Sequence, residues 1–113
     1  MSGESQHLDM DALKELKQIM GDEFSLLIET FKNDSVVRIQ SIETAIAGGD
    51  PEEIRRAAHS FKGSAGNMGA TALTELCRTL EDRGHSGKAD GCDALLAQII
   101  DEYHIVQAGL AEL

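Results

Sequence analysis

Gly48-Gly49-Asp50-Pro51 constrains this 113-residue chain more than any other run. Two glycines stop a helix, because glycine takes the left-handed backbone of a C-terminal cap without strain. Aspartate then suits an N-cap, and proline suits the first helical position, where its missing N–H costs nothing. One helix ends and another begins with no room between them, so the two must run antiparallel. Upstream, Asp22 is placed to cap a helix from about Glu23 to Ala47. Its apolar positions (Phe24, Leu27, Ile28, Phe31, Val36, Ile39, Ile42, Ala45, Ile46) keep helical spacing through most of the run. A shorter helix, DMDALKELKQIM, precedes it with Leu13, Leu16, Ile19 and Met20 on one side and Gly21 at its end.

Downstream of Gly69 a fourth helix reads ATALTELCRTLEDRG, with Leu73, Leu76, Cys77 and Leu80 inward. The stretch from Gly84 to Gly91 is loop-like. A last helix carries Leu95, Leu96, Ile99, Ile100, Tyr103, Val106 and Leu110. The expected fold is all-α: an antiparallel up-down four-helix bundle with the short N-terminal helix across one end. Residues 1–7 are polar and expected to be a disordered tail, leaving residues 8–113 as one domain.

The helix opened by Asp50 carries the chemistry. Glu53 falls where a capping-box acid would sit. At ~100° per residue, Ile54, Ala57, Ala58, Phe61, Ala65 and Met68 share an apolar stripe, and His59 projects about 140° from Ile54, toward solvent. Arg55, Arg56 and Lys62 flank it. Gly63 and Gly66, one and two turns on, expose bare backbone on the polar face, although glycine inside a helix costs about 1 kcal/mol relative to alanine. A histidine with cleared surroundings and a lysine one turn away describes a surface on which a partner lands. Across the turn at residues 69–70, levels mirror, so residue 59 stands level with 80 or 81. Leu80 points inward, which leaves Glu81 at the edge beside His59, with Arg78 and His85 on its stripe. Its carboxylate there would accept a hydrogen bond from Nδ1–H and leave Nε2 as the nucleophilic nitrogen.

Composition removes other classes of function. A net charge of -10 argues against non-specific nucleic-acid binding and against an anionic membrane surface. No apolar run approaches the ~18 residues of a membrane span, and MSGESQHLD lacks the basic and apolar regions of a signal peptide. Cys77 and Cys92 form neither a disulfide framework nor a CxxC metal site. The chain is expected to be cytoplasmic, with reduced thiols. Asp101 and His104 are an i, i+3 pair without the further carboxylates of a bundle metal centre, so no metal site is expected. His104 is placed on the surface of the last helix and His7 in the tail.

The run His59-Ser60-Phe61-Lys62-Gly63-Ser64-Ala65, followed by Asn67-Met68-Gly69-Ala70 at the helix exit, resembles the signature of the histidine-containing phosphotransfer (HPt) domain. The likeness extends from about Leu8 to the C-terminus. It implies a four-helix bundle and a Glu or Gln at the position of Glu81. It also implies a phosphorelay intermediate: His59 would take a phosphoryl group from a receiver-domain aspartate of a hybrid sensor kinase or response regulator and pass it to another receiver. Phosphoryl transfer asks chiefly for positioning and charge stabilisation, which Lys62 would supply one turn from His59. Arg55, Arg56, Gly63, Gly66, Asn67, Arg78 and His85 would then form the docking face. No ATP site or cofactor is expected, because the receiver brings its own metal and catalytic groups. A monomer is expected, and the Met shortly before the first helix favours a free-standing protein. The alternative is a non-catalytic bundle that binds a partner through the Arg55/Arg56/Lys62/Gly63 face; a metal-binding bundle ranks last.

Overall fold

A computed structural model describes residues 7–113, so most of the expected tail, residues 1–6, lies outside the described residues. Five helices follow in order: α1 (Met10–Met20), α2 (Glu23–Gly48), α3 (Pro51–Asn67), α4 (Thr71–His85) and α5 (Cys92–Ala111). Neighbouring helices α2–α3, α3–α4 and α4–α5 pack together, and α5 closes the ring against α2. That is the four-helix bundle, with α1 resting on α2.

Local chemistry explains the boundaries among the first three helices. The Asp9 carboxylate accepts from the Ala12 N–H at 3.1 Å and caps α1. Gly49, at φ 67°, ends α2, and the Asp50 carboxylate accepts from the N–H groups of Glu52 and Glu53 at 3.1 and 3.5 Å. Asp22, expected to cap α2, makes no side-chain cap bond; the Gly21 carbonyl accepts from the Phe24 N–H at 3.1 Å instead. At the α3–α4 turn the Gly69 carbonyl accepts from the Asp9 N–H at 3.0 Å, fastening the start of α1 across that end of the bundle. Leu8 is buried beside it.

The core is centred on Phe61, which is fully buried, with Ile42, Ile54, Leu73, Leu80, Ile99, Val106 and Leu110 around it. The Tyr103 ring lies 6.5 Å from Phe61 and 6.3 Å from Phe31, and its hydroxyl donates to the Lys32 carbonyl. The stripe of α3 buries as its spacing requires.

Three expectations need correcting. Ile19 and Val36 face solvent, at 77% and 47% exposure. On α2 the buried stripe runs Phe24, Phe31, Ser35, Ile42, Ala45, and Val36 stands ~100° past it. α4 runs through His85, one residue past its expected end at Gly84, so the loop-like stretch begins only at Ser86. His7 is not adrift in a tail: its Nδ1 lies 2.5 Å from the buried Glu102 carboxylate.

At Gly84 α4 lies backbone to backbone against α3. A Cβ there would stand 2.6 Å from the Pro51 carbonyl oxygen, 2.7 Å from the Arg55 nitrogen and 2.9 Å from the Arg55 Cα. All three are backbone atoms, which cannot rotate aside. Gly84→Ala should therefore destabilise the bundle by roughly 1–3 kcal/mol, seen as a fall of several degrees in thermal midpoint. Gly63→Ala should leave the midpoint equal or higher, because a Cβ at 63 meets nothing within 4 Å.

Candidate functional site

Halfway along α3, His59 stands out from the bundle with 63% of its side chain exposed. Its burial pattern follows from Ala58, fully buried on one side, and Phe61 two residues on. The ring's Nδ1 lies 2.8 Å from Glu81 Oε2, across the α3–α4 groove. Glu81's second oxygen, Oε1, lies 2.7 Å from Lys62 Nζ. One carboxylate, itself only 16% exposed, thus holds both the imidazole and the ammonium.

The Lys62 hydrogen bond, followed by that from His59, lowers the Glu81 pKa against the opposing effect of burial. The group is therefore ionised at neutral pH, and an ionised carboxylate can only accept. Nδ1 must then be the protonated nitrogen of a neutral ring, which leaves the Nε2 lone pair directed at solvent. The arrangement supplies an oriented nucleophile, a carboxylate that would stabilise positive charge on the ring, and a cation beside it for an anionic group. The Lys62 ammonium is not idle while it waits: it is paired with Glu81 and 23% exposed.

The other expected residues are less closely drawn together. Arg55 grips Glu52 through two bonds of 3.0 and 2.6 Å, holding that carboxyl down at about 2. Arg56 approaches Glu52 and Glu53 at 3.3 and 3.7 Å. Arg78 turns to Glu75 at 3.3 Å and not to Glu81. Gly63, Gly66 and Asn67 are exposed along the later turns of α3, and His85 is exposed at the end of α4. Burial pushes the Cys77 thiol up to about 12, so it offers no competing thiolate beneath the site. Asp101 and His104 are both exposed, and no group of three metal-ligating side chains occurs among the described residues.

One neighbour escapes the motif. Arg38 reaches from α2 to α3 and donates through its Nη1 to the Ser60 hydroxyl, beside His59, while its Nε donates to Asp34 Oδ2 at 2.6 Å. Mirroring residue numbers about the Gly49 turn pairs 38 with 60, so the same device that locates Glu81 locates Arg38.

The fold that carries this site has counterparts among known proteins. A family model described as Hpt domain matches residues 26–109. The crystal structure of histidine-containing phosphotransfer protein B from Pseudomonas aeruginosa PAO1 superposes with a TM-score of 0.90 at 37% identity, covering 96% of this chain and 95% of that one. Sensor protein TorS of Escherichia coli (strain K12) is 34% identical over 79 residues; these are 69% of this chain and only 9% of that protein's length.

The Glu81 carboxylate should leave a spectroscopic and an acid-limb signature. Side-chain nitrogen shifts should report the Nδ1–H tautomer of His59 in the neutral ring, and Glu81→Ala should release that preference toward the mixture of a free imidazole. Because the folded-state pKa of Glu81 is depressed, its contribution to stability is complete above the ordinary value of 4.5 and fades as pH falls through the lowered one. The stability gap between wild type and Glu81→Gln should accordingly narrow below about pH 4.5. A gap that stays constant down to acid unfolding would contradict the ionic role.

Proposed function

The chain belongs to the Hpt domain family, and from that premise we propose that His59 is its phosphoacceptor. The protein serves as a histidine phosphotransfer module of a two-component phosphorelay, and its partners are receiver domains. The observation that supports His59 is the shared carboxylate: Glu81 reaches Nδ1 at 2.8 Å and Lys62 at 2.7 Å.

In the proposed step, Nε2 attacks the phosphorus of a receiver's aspartyl phosphate. The N–P bond forms as the acyl P–O bond breaks, and the electron pair leaves on the aspartate carboxylate. The ring becomes a phosphoimidazolium whose positive charge faces Glu81, and Lys62 turns toward the phosphoryl oxygens. Transfer to a second receiver reverses the same bonds, so the chain is a carrier with no nucleotide site of its own.

Gly63, Gly66 and Asn67 with Arg55, Arg56, Arg78 and His85 make up the docking face. The single domain spans residues 8–113 and works as a cytoplasmic monomer, without nucleic-acid or membrane partners. Its net charge of -10 favours that reading, as does the lack, among the described residues, of a helix long and apolar enough to cross a membrane.

Incubation with a phosphorylated receiver should place an acid-labile, alkali-stable phosphate on His59 alone. His59→Ala should abolish it and leave the domain folded, with no more than the loss of one hydrogen bond to Glu81 in stability, about 1 kcal/mol, since the rest of the ring faces water. Phosphate on His85 or His104, or its persistence in the variant, would refute the assignment. Gly63→Gln separates docking from folding. A side chain at 63 has open space in the free protein yet occupies the ground a receiver must cover, and a misplacement of about 1 Å can cost on the order of 100-fold. Stability should hold or rise by about 0.5–1 kcal/mol while transfer falls sharply. Full transfer activity in this variant would remove the face as the docking surface.

A further inference from the structure

α3 has two neighbours in the bundle, and each sends one charged group to the His59 level. From α4 comes Glu81, which holds Lys62. From α2 comes Arg38, held by Asp34 at 2.6 Å and by the Ser60 hydroxyl. Cations therefore stand on both sides of His59, each pinned by one carboxylate. A guanidinium carries five N–H donors, and these two partners occupy only part of the fork. No other acceptor among the described residues reaches it, and a third of its side chain is exposed.

The surroundings of Arg38 are those of a contact surface. An open groove of about 590 Å³ runs between α2 and α3, lined by Val37, Arg38, Ser41, Arg56 and Ser60 among others. Val36 and Val37, immediately before Arg38, are 47% and 59% exposed. Exposed apolar side chains beside a partly exposed arginine are the composition of a protein interface. Arg56 lines the same groove but faces two carboxylates, Glu52 and Glu53. Arg38 faces one, which leaves more of its charge for a partner.

We infer that Arg38 is a partner-contact residue, gripping the acidic phosphoaspartyl end of an incoming receiver domain from the α2 side, opposite Lys62. The inference rests on the receiver reading above and adds a residue outside the His59 motif. Its occupant follows from charge: the chain is acidic overall, so an acidic partner needs local cations to approach, and Arg38 supplies one on the flank that Lys62 does not reach. The contact acts in association, not in bond-making.

Two phosphate donors test this on the intact chain. One is a receiver domain carrying phosphate on its aspartate. The other is phosphoramidate, which forms the same N–P bond on the imidazole with loss of ammonia and needs no docking. Arg38→Ala and Arg38→Gln should each lower receiver-dependent kcat/KM about tenfold, through KM and not kcat, with a shallower salt dependence. Arg38→Lys should recover most of that loss, and phosphoramidate labelling should match wild type in all three. Since glutamine keeps a donor for Ser60 but no charge, wild-type transfer by Arg38→Gln would show a mere tie between helices and overturn the inference. Slowing in the phosphoramidate arm would overturn it too, by placing the effect on the ring itself. A wild-type chain that takes phosphate from phosphoramidate but from no receiver would overturn the receiver reading, and this inference with it.

Discussion

Everything at the histidine depends on how closely α4 may lie against α3, and Gly84 sets that distance. Backbone meets backbone there, with the Arg55 nitrogen only 2.7 Å from where a Cβ would be. The contact fixes the helices in separation and also in register. Arg55 is one turn before His59, and Glu81 is one turn before Gly84, so locking 55 against 84 puts 59 level with 81. The 2.8 Å bond from His59 to Glu81 is thus the local result of a packing constraint one turn away.

A second dependency runs through the carboxylate. Glu81 is mostly covered, which alone would raise its pKa, yet two hydrogen-bonding partners hold it ionised. Burial makes each of those bonds count for more, because solvent does not compete for the oxygens. In exchange, both partners lose rotational freedom. The imidazole is oriented before any partner arrives, and the ammonium is stored within one side-chain swing of Nε2. Preorganisation of this kind is how a small bundle can support group transfer without a cleft.

Much of this was legible in the sequence, for identifiable reasons. Gly-Gly-Asp-Pro fixed the α2–α3 turn because its residues admit few backbone conformations. The α3 stripe was readable because Ile54, Ala58, Phe61 and Ala65 keep strict helical spacing, and that placed His59 outward. Glu81 followed from counting across a short turn. Other features were hidden because their signal is tertiary. Ser35 in place of Val36 on the buried stripe depends on how α2 is rotated over 26 residues, where a small phase error accumulates. Gly84 reads as the glycine that ends a helix, at the head of a run of Gly, His and Ser, and only the neighbouring backbone reveals its purpose. His7 pairs with Glu102, 95 positions away, and no local pattern announces that. Arg38 lay within reach of the same counting used for Glu81, but a motif centred on α3 draws the eye away from α2.

The tight α3–α4 seam also gives the chain an uneven tolerance to changes in length. One residue added to the turn at 68–70 would rotate all of α4 by ~100° relative to α3, carrying Glu81 off the groove and Gly84 off its contact together. The segment from Ser86 to Gly91 sets no register in that seam: its bonds, such as the Asp90 carbonyl accepting from Arg83 at 2.6 Å, tie it to the end of α4 and not to α3. Insertions and deletions among descendants of this sequence should accumulate in the second connection and be purged from the first, so that the hairpin around Gly69 behaves as a ruler whose length is inherited unchanged.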